Sequence, residues 1–151
     1  MKKISIYFPE SNITVRASLL EEEEPELCQL LWEAVKEPLR MACHHTMSTG
    51  DVFVAFPRPP KHPPQTGTQA KPLGRKNVLW SDLQVGQLFW RGWNMGVAYG
   101  KCTEPLNPGG SVVAQVDEED LDAFVEACQE VWNCCYFKHC LATIVVKREA
   151  D

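Results

Sequence analysis

The residue types best suited to chemistry are concentrated between residues 43 and 50, which include two histidines, two threonines, a serine and a cysteine. We predict that this stretch belongs to a β-strand, in which neighbouring side chains point to opposite faces. His44 then shares a polar face with Thr46 and Ser48, whereas His45 falls on a mostly apolar face. The two histidines are therefore not expected to face the same cavity.

His45 is a candidate for acid–base chemistry because its face is predicted to pack toward the core. Burial disfavours the charged imidazole, lowers its pKa and leaves it neutral near pH 7, where it can act as a general base. The alternative is a structural histidine whose ring nitrogens bond to backbone groups, beside a solvated His44. The nearby hydroxyls of Thr46, Ser48 and Thr49 support the catalytic interpretation. The sequence alone leaves both interpretations open.

Cationic residues that could bind an anion are concentrated in one proline-rich segment. Residues 57 to 76 contain six of the eleven prolines, three lysines and two arginines, with almost no apolar side chains. Because such a segment cannot bury a core face, we predict a long exposed flap. Its cations, Arg58 among them, could gather over an anionic ligand, or they could simply keep the loop solvated. Arg91 is a further candidate because guanidinium groups bind carboxylates bidentately.

Three aromatic residues cluster in a hairpin that we predict over residues 87 to 99. Trp90, Trp93 and Tyr99 could wall a pocket for a flat ring, although most aromatic side chains in barrels fill the core. Trp93 lies at the predicted turn, where no core role is evident. We therefore include Trp93 and Tyr99 among the candidate substrate-binding residues.

The chain has seven cysteines. We expect reduced thiols that mostly pack in the core, because the N-terminus is too short and too polar for a signal peptide. The C-terminal thiols and imidazole are zinc-ligand types, but their spacing fits no paired pattern, so we predict no metal site. This group consists of Cys128, Cys134, Cys135, His139 and Cys140. The sequence also contains no glycine-rich phosphate loop, nucleophile elbow or zinc-protease motif.

The elements that must position these residues are mainly strands. Apolar alternation predicts a first hairpin, and an acidic start followed by Pro25 predicts a helix after it. About eight strands and two helices, without β-α-β alternation, predict a mostly β (α+β) fold. We expect one domain over residues 1–151, a closed or partly open barrel with two capping helices. The predicted strands include 3–8, 13–19, 39–49, 52–56, 87–91, 95–99 and 141–147, and the helices are 21–37 and one beginning at Asp117 as N-cap.

Composition excludes several classes of function. The net charge of −5 argues against nucleic acid, whose binding rests on lysines and arginines. No apolar run approaches the ~18 residues that span a bilayer. We therefore expect a cytoplasmic protein that binds neither nucleic acid nor membrane.

Several of these residues resemble the cucumopine synthase-like proteins, a cyclophilin-like family. The resemblance is carried by residues 45–50, 58–60, 86–90 and 99–100, and it covers roughly residues 2 to 115. It implies a small cyclophilin-like β-barrel with a cleft. For the synthase members it also implies a Pictet-Spengler condensation of histidine with 2-oxoglutarate through an imine, with no cofactor.

The resemblance also suggests roles for individual residues. His45 would be the acid or base, Thr46 and Ser48 would position a carboxylate or imine, and Arg91 or the flap would hold negative charge. The sequence departs from the family at Gln87, where an acidic residue is expected, and this removes one possible general base.

Two classes of function therefore stand side by side. One is a synthase that joins an amino acid to a keto acid. The other is a carrier or regulatory module that binds a small carboxylate in the same cleft without turnover. An exposed aromatic hairpin would also make a homodimer contact plausible.

Overall fold

Eight antiparallel strands close into a barrel in this computed structural model, which describes residues 1–59, 61–62, 70, 73–106 and 110–149. The order of strands around the barrel is β1-β2-β7-β5-β6-β4-β3-β8, with β8 returning to β1. Helix α1 follows β2, and helix α2 precedes β8. The strands are β1 (Lys3–Phe8), β2 (Ile13–Leu19), β3 (Leu39–His45), β4 (Gly50–Phe56), β5 (Gln87–Trp90), β6 (Met95–Cys102), β7 (Ser111–Val116) and β8 (Thr143–Arg148), and the helices are α1 (Pro25–Ala34) and α2 (Leu121–Asn133).

The first hairpin shows how the sequence pattern forms the barrel wall. Alternate residues of β1, Ile4, Ile6 and Phe8, are buried in the core, and β1 pairs with β2 from Lys3–Ser18 to Phe8–Ile13. Fully burying such a side chain contributes about 1.5–3 kcal/mol. The other edge of β1 pairs with β8, so the two ends of the chain close the barrel together.

The two helices cover the barrel with their apolar faces. Pro25 stands in the first turn of α1, where its missing N–H has no helical partner to lose. The Cys28 thiol of α1 donates to the carbonyl of Val113 on β7 at 3.4 Å. On α2, Phe124 is fully buried and meets Phe8 edge to face at 6.5 Å between ring centroids.

The prediction of a mostly β barrel with two helices is confirmed, and the barrel is closed. The strand predicted over residues 39–49 instead ends at His45, because the Thr46 hydroxyl donates to the Gly50 and Val52 carbonyls and closes a tight loop. Strand β7 was not assigned from the sequence.

Asp117 is not the side-chain cap predicted for the second helix. Helix α2 begins at Leu121, after a single 3₁₀ turn of residues Glu118–Asp120. The Asp117 carboxylate instead accepts hydrogen bonds from Lys3 Nζ at 2.6 Å and Ser18 Oγ at 2.8 Å. An ion pair to the barrel wall thus replaces the expected helix cap.

The predicted flap, residues 57–76, lies partly outside the described residues, which omit 60, 63–69 and 71–72. Its C-terminal end is anchored by a buried carboxylate. Glu24 accepts hydrogen bonds from the backbone N–H groups of Arg75, at 2.8 and 2.9 Å, and Lys76, at 2.6 Å.

Across the described ranges, no helix combines the length and the hydropathy that a membrane crossing requires.

Candidate functional site

A cleft of about 500 Å³ opens at the end of the barrel where β3 finishes and β4 begins. This volume lies within the range of about 300–1,000 Å³ that is usual for small-molecule sites. Three parts of the chain form its walls: the β3–β4 loop, strand β6 and the last turns of α2. The lining residues are His45, Met47, Ser48, Gly50, Asp51, Tyr99, Gln129, Trp132 and Asn133.

His45 has a hydrogen-bond partner at each ring nitrogen. Nδ1 lies 2.7 Å from the carbonyl oxygen of Thr46, and Nε2 lies 2.6 Å from the hydroxyl of Tyr99. Because a carbonyl oxygen can only accept, Nδ1 must carry the proton in the neutral ring. Nε2 is then the acceptor and Tyr99 the donor. The geometry therefore assigns the tautomer and leaves the basic nitrogen facing the Tyr99 hydroxyl.

Burial favours the neutral form of this histidine. Loss of water around His45 lowers its pKa from the ordinary value, and the Thr46 carbonyl and the Asp51 carboxylate oppose this effect less strongly. His45 as a whole residue is 8% exposed, and it lines the cleft. A general base near pH 7 requires a neutral imidazole with one unprotonated nitrogen, and Nε2 of His45 meets this requirement.

Tyr99 is held in its neutral form by the same environment. Burial raises the pKa of its hydroxyl well above the ordinary value, and the Asp51 carboxylate adds to that effect. A phenol that stays protonated can donate a hydrogen bond, and its raised pKa makes any proton transfer depend on His45. It can pass its proton to a bound molecule and regain one through His45.

Asp51 enters the cleft through an irregularity in the β4–β6 pairing. Gly50 pairs with Cys102 and Val52 pairs with Ala98, so the single residue Asp51 stands opposite the three residues from 99 to 101. Bulges of this kind re-aim side chains and are frequent beside active sites. The strands predicted from the sequence, 39–49 and 52–56, left Asp51 in the turn between them.

The third wall is aromatic and comes from the C-terminal part of the chain. The Trp132 ring lies 4.8 Å from the His45 ring and 4.3 Å from the Tyr136 ring, between centroids. Tyr136 lies in a π-helical turn, Cys134–Lys138, and its hydroxyl donates to the backbone carbonyl of His45 at 2.7 Å. This turn therefore holds the backbone of His45 in place, while Trp132 lines the cleft.

The other predicted residues of the 43–50 stretch are divided between site and scaffold. Ser48 lines the cleft, and Ser48 and Thr49 both lie within 3.4 Å of the Glu104 carboxylate, to which their hydroxyls donate. Thr46 is committed to closing its loop. His44 is exposed on the outer face, where it meets Phe56 edge to face at 5.4 Å. The separation of the two histidines follows from strand alternation, as predicted.

The structure does not bring the predicted cations and Trp93 to His45. Arg58 and Trp93 line a separate depression of about 290 Å³ beside Leu39, at the opposite end of β3. Leu39 and His45 are six residue steps apart along the strand, which is roughly 20 Å. Arg91 follows β5 at the same far end, where burial lowers its pKa and its backbone N–H bonds to the Asn94 carbonyl. Their predicted role in holding substrate charge stays a prediction.

Among the described residues, no group of three or more histidine, cysteine, aspartate or glutamate side chains is arranged to hold a metal ion. All seven cysteines are free thiols, and only Cys140 is exposed.

Sequence reasoning missed four residues that line the cleft: Asp51, Gln129, Trp132 and Asn133. Trp132 lies in the helix predicted to begin at Asp117, where a large apolar side chain is expected to pack in the core rather than to wall a pocket. Gln129 and Asn133 flank it at helical spacing on the same side. In the sequence, the polar residues Gln129 and Asn133 on either side of Trp132 were the only indication that this part of the helix lines a pocket.

The fold and the cleft define the class of protein: a closed, eight-stranded antiparallel β-barrel with two helices and a ligand-sized cleft at one end. The chain belongs to the family described as protein of unknown function (DUF3830), whose model matches residues 6–142. No curated protein matches the sequence.

Solved structures share the fold. The structure of McbB in complex with tryptophan is 26% identical, with a TM-score of 0.83, and the match covers 98% of this chain and 45% of that chain. This chain therefore spans less than half the length of the McbB chain. The solution structure of the hypothetical protein AF2241 from Archaeoglobus fulgidus is 16% identical, with a TM-score of 0.56, and the match covers 98% and 95%. It supports the fold alone.

Proposed function

We propose that this protein condenses an amine bearing a flat, electron-rich ring with a carbonyl compound, in a Pictet-Spengler type of reaction without a cofactor. The observation that carries the proposal is the His45–Tyr99 hydrogen bond of 2.6 Å. Both residues line a ligand-sized cleft, and Trp132 forms one of its walls. The resemblance to cucumopine synthase-like proteins and the tryptophan bound by McbB support the same reaction class.

The reaction needs one acid and one base in turn. The amine nitrogen bonds to the carbonyl carbon and water leaves, which requires a proton on the departing oxygen. Tyr99 supplies that proton, since its raised pKa keeps the hydroxyl protonated, and it regains a proton from His45 Nε2, which has first taken one from the incoming ammonium group. A ring carbon then bonds to the same carbonyl-derived carbon, and the ring must lose a proton to recover aromaticity. Nothing is oxidised or reduced, and the product equals the two substrates less one water.

His45 is the base for the last proton transfer. Because Nε2 accepts from Tyr99, the substrate proton passes to the tyrosine oxygen while the tyrosine proton moves to Nε2. The lowered pKa of His45 ensures that this nitrogen is free at neutral pH. General acid–base catalysis of this kind is worth about 10²–10⁴ in rate.

The specific substrates suggested by the resemblance are histidine and 2-oxoglutarate, and McbB suggests tryptophan as a second amine. Each amine is incubated with 2-oxoglutarate or with a simple aldehyde, and products are sought by mass spectrometry at the combined mass less one water. Chromatography separates the enzymatic product, a single stereoisomer at the newly formed carbon, from the mixture of diastereomers that forms spontaneously from an L-amino acid.

We expect His45→Ala and Tyr99→Phe each to reduce the rate by about 100-fold, and His44→Ala, the matched control on the outer face, to leave it unchanged. The absence of a stereochemically enriched product from every pair, or full turnover by folded His45→Ala, would contradict the proposal.

A carrier or regulatory module is the second candidate. The lining residues include no lysine or arginine for the carboxylates of a keto acid, which favours binding of one small molecule without condensation. Saturable binding of an amine with no product, under the conditions above, would select this function.

A further inference from the structure

The formal charge on the residues that line the cleft is negative. Of its nine lining residues only Asp51 carries a formal charge when His45 is neutral, and its carboxylate has no ion-pair partner in the described ranges. Glu104, which accepts from the hydroxyls of Ser48 and Thr49, adds a second carboxylate beside the loop. The cleft therefore offers a site for a cation and no counter-charge for an anion.

Lys138 is the cation of the neighbouring π-helical turn, and it is already paired. Its ammonium group binds the Glu130 carboxylate, and this pairing lowers the pKa of Glu130. Lys138 could pair with a carboxylate group in the cleft only by breaking that ion pair.

Asp51 is held in place by a specific backbone feature. A Cβ placed on Gly100 would lie 2.3 Å from Asp51 Oδ2 and 2.8 Å from Asp51 Cβ, so the aspartate side chain packs directly over the glycine. Only glycine leaves this space at position 100. Gly100 is therefore a positioning residue for the Asp51 carboxylate.

From this arrangement we propose that the cleft selects aromatic amines that have no carboxylate of their own, and that Asp51 binds their ammonium group. The proposal deepens the proposed function, on which it rests for an aromatic amine as the substrate class. An amino acid carries its carboxylate on the same carbon as its ammonium group. Repulsion between that carboxylate and Asp51 then opposes the attraction of the ammonium group, and a simple amine escapes this opposition.

This specificity differs from the tryptophan bound by McbB, which is an amino acid. At 26% identity the two proteins can share the barrel and differ in the groups that read the ligand. Tryptophan and the amines proposed for this cleft share an aromatic ring. They differ in whether a carboxylate lies beside the ammonium group.

The test is calorimetric binding with no carbonyl compound present, so that it is independent of turnover. The probes are tryptamine against tryptophan and histamine against histidine. We expect each amine to bind at least about tenfold more tightly than its amino acid, the size of one charge-assisted hydrogen bond. Asp51→Asn should abolish this preference, and Asp51→Glu should retain part of it.

Two further variants separate a specific role from a general loss of charge. Gly100→Ala should weaken amine binding because the added methyl displaces Asp51, whereas Asp82→Asn removes an exposed carboxylate outside the cleft and should change nothing. Circular dichroism confirms that each variant is folded.

The outcomes distinguish this inference from the proposed function. Equal or tighter binding of the amino acids, or an unchanged preference in folded Asp51→Asn, overturns the selection of amines while leaving the condensation intact. Tight, Asp51-dependent binding of tryptamine or histamine, with no product when the same amine is then incubated with 2-oxoglutarate or a simple aldehyde, upholds the selection and overturns the condensation.

Discussion

At the scale of single residues, the tautomer of His45 decides what the cleft can do. The Thr46 carbonyl fixes the proton on Nδ1, and this frees Nε2 to face the Tyr99 hydroxyl. A backbone carbonyl from the adjacent residue is a partner that no side-chain substitution can remove. The basic nitrogen is thus directed by the local chain and positioned by a residue from another strand.

The lowered pKa of His45 predicts how stability depends on pH. Below the ordinary histidine value of about 6.5 the unfolded chain takes up the proton first, so the free energy of unfolding falls as pH drops toward the folded-state pKa. Above about 6.5 both states are neutral and the contribution is constant. NMR titration of the ring proton should give a pKa below 6.5.

Urea unfolding over the same pH range provides the second measurement. His45→Gln should lose less stability than the wild type as pH falls below about 6.5, because the variant has no imidazole to protonate. An NMR pKa at or above the ordinary value would contradict the assignment of a buried, neutral ring.

At the scale of elements, the π-helical turn Cys134–Lys138 connects the C-terminal helix to the site. The turn ends at His139, which adopts a left-handed conformation with φ of 53° and closes the helix. It carries Tyr136, whose hydroxyl reaches the His45 backbone. Single π-helical turns within helices are frequent at functional sites.

Tyr136→Phe tests this connection. Removing the hydroxyl leaves the His45 carbonyl without its donor, and we expect a loss of about 1 kcal/mol in the free energy of unfolding. If the rate assay gives product, kcat should also fall, because His45 is less firmly held. Tyr7→Phe is the matched control: its hydroxyl donates to Asn12 at 3.1 Å in an exposed turn and should cost less. Equal losses in both variants would show that the Tyr136 contact has no special role.

At the scale of the whole molecule, one buried carboxylate ties the proline-rich flap to the barrel. Glu24 is 1% exposed, immediately precedes α1 and accepts three backbone hydrogen bonds from Arg75 and Lys76. Arg75 also pairs with Glu26 in the first turn of α1, at 2.5 Å. The chain therefore re-enters the fold at a defined point after its most polar segment.

Glu24→Ala should release this anchor. We expect the variant to lose about 1–3 kcal/mol of stability, since two backbone N–H groups lose their charged acceptor. We also expect faster cleavage by trypsin after Lys61, Arg75 and Lys76, whereas Arg58 and Lys71 are each followed by a proline. Limited proteolysis followed by mass spectrometry identifies the cleavage sites. Glu23→Ala removes a neighbouring exposed carboxylate and serves as the control. Identical digestion of the two variants would exclude Glu24 as the anchor.

Local patterns in the sequence predicted most strands of the barrel and the opposite orientations of the two histidines. Alternation placed His45 inward and His44 outward, and the helix predicted to begin at Asp117 overlaps α2. Both inferences depend on side-chain periods of two or 3.6 residues, which are properties of the local chain. They needed no knowledge of which strands are neighbours.

Only the tertiary structure decided what His45 meets. Tyr99 is 54 residues away in sequence and Tyr136 is 91, and each reaches His45 because of the order in which the strands close and where α2 packs. The entry of Asp51 depends on a pairing irregularity between β4 and β6. The same closure carried Arg58 and Trp93 to the far end of the barrel. Register and strand order arise from long-range pairing, which no local residue period specifies.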